Sequence, residues 1–338
     1  MRKLLVTGGA GFIGSNFVKK TLREDGDVSI TVLDLLTYCG NLKNFTEEEW
    51  ENPRFLFFQG DIRDEDVVEN LVRNSDQVVH FAAETHIDRS IQNSDVFVST
   101  DVMGTHTLLE AIRQNPVERF VHISTSEVYG TAKSIPMTEE HPLNPNSPYA
   151  ATKVGGDRLA YSFYYTYGLP IVIIRPFNNY GPNQYPEKLI PLFITNAVEE
   201  KPLPIYGDGK NTRDWIHVSD CCEAVARALK AELSTVKGEA INIGSGKEVD
   251  VRTIASEILK KLEKPDGLIK FVKDRLGHVQ RLHSSVEKAR ELLGFEPKID
   301  FEEGLTQTVD WYLDNEDWWR EIKEREEYKS FCQELYGN

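Results

Sequence analysis

Residues 3–14 read KLLVTGGAGFIG, an apolar run followed by a glycine-rich turn. Gly8 allows a tight turn from a strand into a helix, Gly11 lets the backbone approach a pyrophosphate, and Gly14 lets the helix pack closely on the strand. The phosphates of a dinucleotide would then lie at the positive N-terminus of the helix. The stretch therefore predicts a strand, a turn and a helix that together bind a dinucleotide.

A second apolar run, residues 30–33, ends in Asp34. This position lies about twenty residues beyond the glycines, where dinucleotide-binding folds place a carboxylate that holds the adenosine ribose hydroxyls. A carboxylate there repels a 2′-phosphate, and no arginine follows in residues 35–38. The sequence therefore predicts NAD rather than NADP as the cofactor.

Further short β-branched or aromatic runs alternate with helical patterns along the first half of the chain. They occupy residues 55–58, 78–81, 120–123 and 171–174. Such alternation is typical of a parallel sheet covered by helices on both faces. We therefore predict an α/β fold, a Rossmann-type doubly wound parallel sheet.

After residue 175 the sequence becomes rich in proline and glycine, which indicates a smaller lobe around the carboxyl ends of the strands. We expect a cofactor-binding Rossmann domain over residues 1–175. Residues 176–338 are expected to form mainly a substrate-binding lobe, with some segments that return to the first domain. The acidic, aromatic end of the chain, from Trp311 onward, is predicted to be helical and packed on the surface.

The composition limits the classes of partner. A net charge of −15 over 338 residues argues against nucleic acid or an anionic membrane as a partner. The four cysteines have neither zinc-site spacing nor the density of a disulfide scaffold, and no cluster of ligating residues has metal spacing, so we predict no metal. With no leader and no apolar run long enough to cross a bilayer, we expect a cytoplasmic protein.

Tyr149 and Lys153 are four residues apart in a helical pattern, so both side chains project from one face. A lysine ammonium beside a phenol stabilises the phenolate, and this would lower the pKa of the tyrosine and make it a usable general base. The pair is thus a candidate for deprotonating a substrate hydroxyl while NAD accepts a hydride.

The glycine turn together with the Tyr149-x-x-x-Lys153 pair resembles the extended short-chain dehydrogenase/reductase superfamily. The resemblance implies a helper hydroxyl after an earlier strand, and Thr125 matches it. Over nearly the whole chain the sequence is similar to the dTDP-glucose 4,6-dehydratases. The segments that carry this likeness are residues 34–42, 81–90, 147–153, 178–182, 186–191 and 206–215.

The resemblance implies a reaction in three stages. Oxidation at C4 of the sugar acidifies the C5 proton, a carboxylate removes that proton as water leaves from C6, and hydride returns to C6. Glu127 matches the C5 base of the family. The residue before it is an aspartate in the dTDP-glucose enzymes and the proton donor to the leaving hydroxyl, whereas this chain has Ser126, a poorer proton donor.

The resemblance also assigns binding residues. Those expected at the cofactor are Gly8, Gly11, Phe12, Ile13, Gly14, Asp34, Asp61, Ile62, Ala82, Ala83, Tyr149 and Lys153. Those expected at the nucleotide-sugar are His86, Asn179, Lys188, Leu189, Pro204, Tyr206, Arg213, Asn242, Arg275 and His278. His80 and His122 lie inside apolar strands and are expected to be core residues.

The sequence leaves several functions open. The leading prediction is an NDP-hexose 4,6-dehydratase acting on dTDP-glucose. The alternatives are a 4,6-dehydratase for another NDP-sugar, a nucleotide-sugar 4-epimerase, a UDP-glucuronate decarboxylase, and a non-catalytic NAD-binding regulator. We also expect a homodimer, because the Tyr149 helix and the apolar stripe through Val102, Leu108, Leu109 and Ile112 resemble the paired interface helices of the superfamily.

Overall fold

The computed structural model describes residues 1–274 and 276–336. Its strands are β1 Arg2–Thr7, β2 Val28–Asp34, β3 Phe55–Gln59, β4 Gln77–His80, β5 Arg119–Ile123, β6 Ile171–Pro176, β7 Asn178–Tyr180, β8 Leu203–Tyr206, β9 Thr212–His217, β10 Ala240–Ile243, β11 Glu248–Asp250 and β12 Ile269–Val272.

The helices alternate with these strands. They are α1 Phe12–Glu24, α2 Glu47–Trp50, α3 Glu65–Arg73, α4 Ile87–Gln92, α5 Asp95–Phe97, α6 Thr105–Gln114, α7 Pro148–Tyr167, α8 Leu189–Val198, α9 Val218–Lys230, α10 Leu233–Val236, α11 Val251–Lys261, α12 Glu287–Leu293, α13 Phe301–Asp314, α14 Glu316–Glu324 and α15 Glu326–Tyr336. A π-helical segment, Val98–Gly104, joins α5 to α6, and a 3₁₀ turn, Ser126–Tyr129, follows β5.

The main sheet has seven strands in the order β10-β6-β5-β4-β1-β2-β3, and every neighbouring pair is parallel. The direction in which the chain adds strands reverses between β1 and β4. In open α/β sheets ligands bind in the crevice outside the carboxyl ends of the strands at such a switch point. The predicted Rossmann-type α/β fold is confirmed.

Strand β1 is buried on both faces of the sheet, which explains its uninterrupted apolar run. Leu4 and Val6 point into one core layer, where Phe17 of α1 also packs. Leu5 points into the opposite layer, which contains Leu108 of α6. Helices therefore cover the sheet on both sides, and its carboxyl edge is left for a ligand.

The apolar stripe that was expected at a dimer interface is not on the surface of the protein. Leu108, Leu109 and Ile112 are fully buried in the core beneath the main sheet, so a second chain cannot reach them and the assignment of this stripe is wrong. Val102 is partly buried and packs closely on α7. A Cβ added at Gly155 of this helix would lie 2.9 Å from the Val102 side chain. Sequence periodicity identifies an apolar helix face but not the surface that covers it.

The chain after β6 builds a second core. β11, β9 and β7 form a three-stranded sheet, and β12 pairs with β8. Phe193, Ile258 and Trp319, from α8, α11 and α14, pack together in this core. β10, however, returns to the main sheet beside β6. The division of the chain at residue 175 stays a prediction.

Helix α7 has clear signals at both ends. The Ser147 side chain accepts a hydrogen bond from the Ala150 amide at 3.2 Å, and Pro148 occupies the first turn, where its missing N–H costs no intrahelical bond. The helix ends at Gly168, whose φ of 69° lies in the left-handed region that glycine favours. These signals place Tyr149 in the first turn and Lys153 one turn further on.

The end of the chain is helical, as predicted, and it packs on the protein through buried aromatic residues such as Trp319 and Phe331. Within residues 1–274 and 276–336, none of the helices has the length and apolar character required to cross a bilayer. Over the same residues, no group of three or more His, Cys, Asp or Glu side chains is arranged to hold a metal ion.

Candidate active site

A cleft of about 480 Å³ opens at the carboxyl edge of the main sheet, between the sheet and the second core. Residues that follow β1, β2, β4, β5 and β6 line it, as do residues from the second core. The predicted site residues that it brings together are Gly8, Gly11, Phe12, Ile13, Gly14, Asp34, Asp61, Ile62, Ala82, Ala83, His86, Thr125, Ser126, Glu127, Tyr149, Lys153, Asn179, Lys188, Leu189, Pro204, Tyr206, Arg213 and His278.

The glycine turn has the geometry that its sequence predicts. Gly8 has a φ of 69°, and a Cβ there would lie 2.4 Å from the Ala82 amide nitrogen. A Cβ on Gly14 would lie 2.3 Å from the Gly8 carbonyl oxygen, so the helix and the turn approach too closely for any larger residue. A Cβ on Gly11 would meet only the Gly8 oxygen, at 3.4 Å, and Gly11 faces the cleft.

Helix α1 begins directly after this turn. Gly11 is its N-cap and supplies no side-chain hydrogen bond. The first-turn amides of a helix have no acceptor within the helix and carry its positive end. Because Phe12, Ile13 and Gly14 line the cleft, the turn and the first turn of α1 fit a diphosphate.

Asp34 links the end of β2 to the glycine turn. Its Oδ2 accepts a hydrogen bond from the Ala10 amide at 2.9 Å, and its Oδ1 accepts one from the Leu36 amide at 2.8 Å. Burial raises the pKa of the Asp34 carboxyl, and the two amides oppose this shift. The carboxylate lines the cleft and is held rigidly, as a ribose ligand requires.

Asp61 and Ile62 follow β3 at the same side of the cleft, and Ala82 follows β4. The Asp61 carboxylate accepts hydrogen bonds from the Arg63 amide at 2.8 Å and from the Arg63 guanidinium Nε at 2.9 Å. These bonds to Arg63 lower the pKa of Asp61. The carboxylate is therefore fixed at the cleft wall in its ionised form.

Tyr149 lies in the cleft beside Thr125 and is partly buried. Burial raises the pKa of its phenol, the charges of Asp101 and Glu127 raise it further, and a hydrogen bond with the Thr125 side chain lowers it. The pKa of Tyr149 is thus raised in the structure, and the lowering of this pKa by Lys153 stays a prediction.

Lys153 is a buried cation one helical turn from Tyr149. Its Nζ donates a hydrogen bond to the Ile123 carbonyl oxygen at 2.8 Å, and its side chain is 6% exposed. Burial lowers the pKa of the ammonium, and the Asp101 carboxylate opposes this shift. The bond to the last residue of β5 ties α7 to the strand that precedes Thr125.

Thr125, Ser126 and Glu127 begin the 3₁₀ turn after β5. The Thr125 Oγ1 accepts a hydrogen bond from the Glu127 amide at 3.2 Å, so it caps the turn. Ser126 is buried and Glu127 is partly buried, and both line the cleft. The turn thus presents a hydroxyl and a carboxylate beside the Tyr149 phenol.

Sequence reasoning missed two buried carboxylates, Glu84 and Asp101. The Asp101 Oδ1 accepts from the Glu84 amide at 2.8 Å, and its Oδ2 accepts from the Thr152 hydroxyl at 2.8 Å. Burial raises the pKa of Asp101 to about 6, against the attraction of Lys153, and burial with the Asp101 charge raises that of Glu84 to about 7. Glu84 lies within a motif segment quoted above, whereas Asp101 has no local sequence signal.

On the substrate side, Lys188 is the N-cap residue of α8 and lines the cleft. Its Nζ lies 3.5 Å from the Thr85 carbonyl oxygen, and burial lowers the pKa of its ammonium while Glu187 opposes the shift. The side chain of Asn179 donates to the Phe177 carbonyl oxygen at 3.0 Å. His86 has a φ of 139°, a strained backbone conformation for a non-glycine residue.

Arg213 approaches the cleft from β9. It is 5% exposed, and its guanidinium donates to the Thr212 and Val279 carbonyl oxygens at 2.9 and 2.6 Å. His278 pairs with Asp274, with 2.6 Å between Nδ1 and Oδ1, and its ring lies near Tyr206. Leu189 and Pro204 complete this end of the cleft.

One predicted substrate residue among the described positions, Asn242, does not line the cleft. Asn242 is fully buried behind it, where its Oδ1 accepts from the Tyr129 hydroxyl at 2.7 Å and its Nδ2 donates to the Met137 carbonyl oxygen at 3.1 Å. Its polar atoms are thus used inside the protein. Arg275 lies outside the described residues.

The two strand histidines are core residues, as predicted. His80 is 1% exposed, with its ring nitrogens 2.7 Å from the Thr7 hydroxyl and 3.1 Å from the Thr105 hydroxyl. His122 is equally buried, and burial followed by the charge of Lys153 lowers its pKa to about 3. Both rings therefore stay neutral beneath the site.

The doubly wound sheet, the glycine turn and the Tyr149/Lys153 helix at the switch point define a protein of the short-chain dehydrogenase/reductase class. Within this class the chain belongs to the GDP-mannose 4,6 dehydratase family, whose model matches residues 5–308.

Individual relatives extend over nearly the full chain. The dTDP-glucose 4,6-dehydratase of Streptomyces niveus is 47% identical over 330 residues, which cover 96% of this chain and 97% of the relative. The crystal structure of DesIV, the dTDP-glucose 4,6-dehydratase of Streptomyces venezuelae with NAD and dTDP bound, superimposes with a TM-score of 0.91 at 45% identity, covering 95% of this chain and all of that one. The UDP-glucuronic acid 4-epimerase of Bacillus cereus, solved with UDP-glucuronic acid and NAD, gives a TM-score of 0.87 at 32% identity, covering 92% and 99%.

Proposed function

We propose that this protein is an NAD-dependent dTDP-glucose 4,6-dehydratase that converts dTDP-glucose to dTDP-4-keto-6-deoxyglucose. The proposal rests on one observation. Thr125, Glu127 and Tyr149 line the same cleft as the glycine turn. Similarity to dTDP-glucose 4,6-dehydratases over 96% of the chain supports the same substrate.

The residues present fit NAD. The glycine turn and the first turn of α1 suit the diphosphate, and the fixed carboxylate of Asp34 suits the adenosine ribose hydroxyls. Ile62, Ala82 and Ala83 would line the cofactor. When bound, NAD would supply a hydride acceptor for the C4 position and a hydride donor for C6.

We assign the catalytic roles from the chemistry of each side chain and from its contacts in the cleft. Tyr149 takes the proton of the C4 hydroxyl, and the hydrogen bond with Thr125 stabilises the phenolate that results. Lys153, a buried cation on the same helix, holds the turn after β5 through the Ile123 carbonyl oxygen. Glu127 removes the C5 proton and returns it to the departing C6 oxygen, which leaves as water while the Ser126 hydroxyl donates a hydrogen bond to it.

The substrate's anionic diphosphate requires local cations in a chain of net charge −15. Lys188 and Arg213 both line the cleft and are largely buried, so their charges act in a low dielectric. Asn179, Tyr206 and His278 line the same region. We assign this end of the cleft to the nucleotide diphosphate.

Mass analysis of the product tests the function. Purified protein is incubated separately with dTDP-, UDP-, GDP- and CDP-sugars, and we expect the loss of one water from dTDP-glucose. Loss of carbon dioxide from UDP-glucuronate, or an unchanged mass with an altered sugar configuration, would contradict the proposal. The Tyr149→Phe variant is the matched control and should leave every substrate unchanged.

A second candidate, a nucleotide-sugar 4-epimerase, is favoured by Ser126. An epimerase needs no acid at C6, and the chain has a hydroxyl where the dTDP-glucose enzymes are expected to have an aspartate. The similarity of the fold to a UDP-glucuronic acid 4-epimerase agrees with this candidate. The same mass measurement separates the two functions.

We also propose a cytoplasmic homodimer. The outward surface of the Val98–Gly104 segment and of α7 exposes Val98, Met103 and Tyr165, at 49%, 55% and 77%. These exposed apolar groups, rather than the buried α6 stripe, would meet a second chain. The four cysteines are free thiols, which suits a reducing compartment. Light scattering at micromolar concentration tests the assembly, and a monomeric mass would contradict it.

A further inference from the structure

The C-terminal helix α15 lies beyond residues 5–308, the part of the chain that the family model matches. It packs against segments that line the cleft. Phe331 is 5% exposed, and its ring meets the His86 ring edge to face, with 5.1 Å between centroids and an interplanar angle of 89°. Tyr328 is 4% exposed and lies 6.3 Å from the Tyr185 ring. The helix therefore covers the back of the cleft wall.

Arg89, in α4, lies between α15 and the rest of the wall. The central carbon of its guanidinium is 3.9 Å from the centroid of the Tyr38 ring and 4.2 Å from that of Phe331, so it stacks between two aromatic faces. Its Nε and Nη2 donate to the Glu187 Oε2 at 3.2 and 2.9 Å, and its Nη1 donates to the Glu327 Oε1 at 3.0 Å. We call these five residues the Arg89 cluster.

The Arg89 cluster joins three segments that each carry cleft residues. Tyr38 belongs to the loop after β2, Arg89 to the segment after β4, and Glu187 to the segment before α8. Glu187 is 4% exposed, and the guanidinium of Arg89 pairs with its buried carboxylate. A planar guanidinium can stack and donate from several nitrogens at once, which a lysine ammonium cannot do.

The cluster reaches the substrate end of the cleft through Thr85. The Thr85 carbonyl oxygen accepts a hydrogen bond from the Tyr38 hydroxyl, and the Lys188 Nζ lies 3.5 Å from the same oxygen. Lys188 directly follows Glu187 in the chain. The backbone at His86, with its φ of 139°, is strained and persists only where the surroundings hold it.

We propose that Arg89 and Phe331 are positioning residues that hold His86 and Lys188 in place for the diphosphate of the nucleotide-sugar. The inference rests on the proposed function, because it assigns Lys188 to that diphosphate. It gives the C-terminal helix a role in substrate binding, although α15 itself adds no residue to the cleft lining. Helix α4 packs against α7, but the contacts of Arg89 and Phe331 given above are with Tyr38, His86, Glu187 and Glu327. We therefore expect the cluster to act on binding rather than on proton transfer.

Two conservative variants test the proposal. Phe331→Leu keeps an apolar side chain but removes the aromatic face, and Arg89→Lys keeps the charge but removes the planar fork. We expect each to raise KM for dTDP-glucose about tenfold with kcat within about twofold, the pattern that results when the bound substrate and the transition state lose the same binding energy. Gln333→Ala, an exposed position on the same helix, is the matched control and should leave both parameters unchanged.

Amide hydrogen exchange of residues 84–89 provides a measurement that does not depend on turnover. Both variants should exchange these amides about tenfold faster than the wild type, because the strained segment loses its support. Unchanged exchange would overturn the proposal, and so would faster exchange with an unchanged KM. Failure of the wild type to convert dTDP-glucose would contradict the proposed function instead, and the exchange result alone would then decide this inference.

Discussion

Arg175 of β6 and Asp157 of α7 form a two-point ion pair. The Arg175 Nε donates to the Asp157 Oδ2 at 2.8 Å, and its Nη2 donates to Oδ1 at 3.0 Å. The Arg175 Nη1 also donates to the Tyr129 hydroxyl at 2.9 Å. Since Asp157 is one turn beyond Lys153 in α7 and Tyr129 ends the turn that begins at Ser126, Arg175 links the two segments that carry the proposed catalytic residues.

Replacing Arg175 with Met should destabilise the protein strongly. The Asp157 carboxylate is fully buried, and although burial opposes its ionisation, Arg175 and Arg158 hold its pKa well below its usual range. Removing one partner of a buried pair leaves an uncompensated charge, at a cost of about 3–5 kcal/mol. Urea unfolding measures the change. Arg113→Met, which removes an exposed arginine, should leave the free energy of unfolding nearly unchanged, and equal effects of the two variants would contradict the prediction.

Glu127→Gln should separate the two chemical stages. C4 oxidation uses Tyr149 and should still produce bound NADH, whereas removal of the C5 proton should slow by about 10²–10⁴-fold. Rapid-mixing absorbance follows the NADH, and product mass follows the loss of water. Unchanged dehydration in this variant would defeat the assignment of Glu127 as the C5 base.

Ser126→Asp tests the residue at which this chain departs from the pattern expected of the dTDP-glucose enzymes. In a dehydratase the new carboxylic acid can protonate the leaving C6 oxygen, so the rate of water elimination should hold or rise. In an epimerase the substitution would add an unpaired charge to a buried position and lower activity. Turnover of dTDP-glucose and of UDP-sugars by the same variant distinguishes these outcomes.

Asp34→Ala should loosen NAD and admit NADP. The substitution removes the carboxylate that would repel a 2′-phosphate, and it also leaves the Ala10 and Leu36 amides without their acceptor. Asp34→Asn is the matched control, because it keeps one acceptor oxygen while removing the charge. The NAD retained through purification and the ratio of NAD to NADP affinity are the measurements. A wild-type preference for NADP would refute our interpretation of Asp34.

Asp101→Asn should shift the pH profile of C4 oxidation. Tyr149 must lose its proton to act as a base, and the Asp101 carboxylate raises the pKa of this phenol. The variant lacks that charge, so the pKa of Tyr149 should fall and the profile of NADH formation should move to lower pH. Because the pKa of Asp101 is itself raised to about 6, the difference should appear above about pH 6 in single-turnover measurements. An unmoved midpoint would count against the electrostatic coupling.

The sequence predicts the local parts of this fold well. The positive φ at Gly8 and the close approach at Gly14 follow from residue type alone, because only glycine tolerates such a turn and such packing. The positions of Asp34, Tyr149 and Lys153 follow from strand order and helical spacing. These features depend on neighbours in the sequence, and motif reasoning therefore identifies them.

The features that sequence reasoning missed depend on contacts between distant segments. Asp101 approaches Glu84 and Thr152 only after the sheet has formed. The family resemblance assigns Asn242 to the substrate, but β10 places it behind the cleft against Tyr129. The pKa of Tyr149 depends on burial and on a carboxylate from another segment, so Lys153 alone does not predict its direction.

The position of β10 has a consequence for synthesis of the chain. This strand, residues 240–243, completes the main sheet beside β6, and α9 packs on α1. A growing chain that has left the ribosome only as far as residue 239 therefore has an open strand edge at β6, which can pair with another chain. We expect the nascent protein to depend on chaperones during this interval, and the risk of aggregation to fall once β10 emerges.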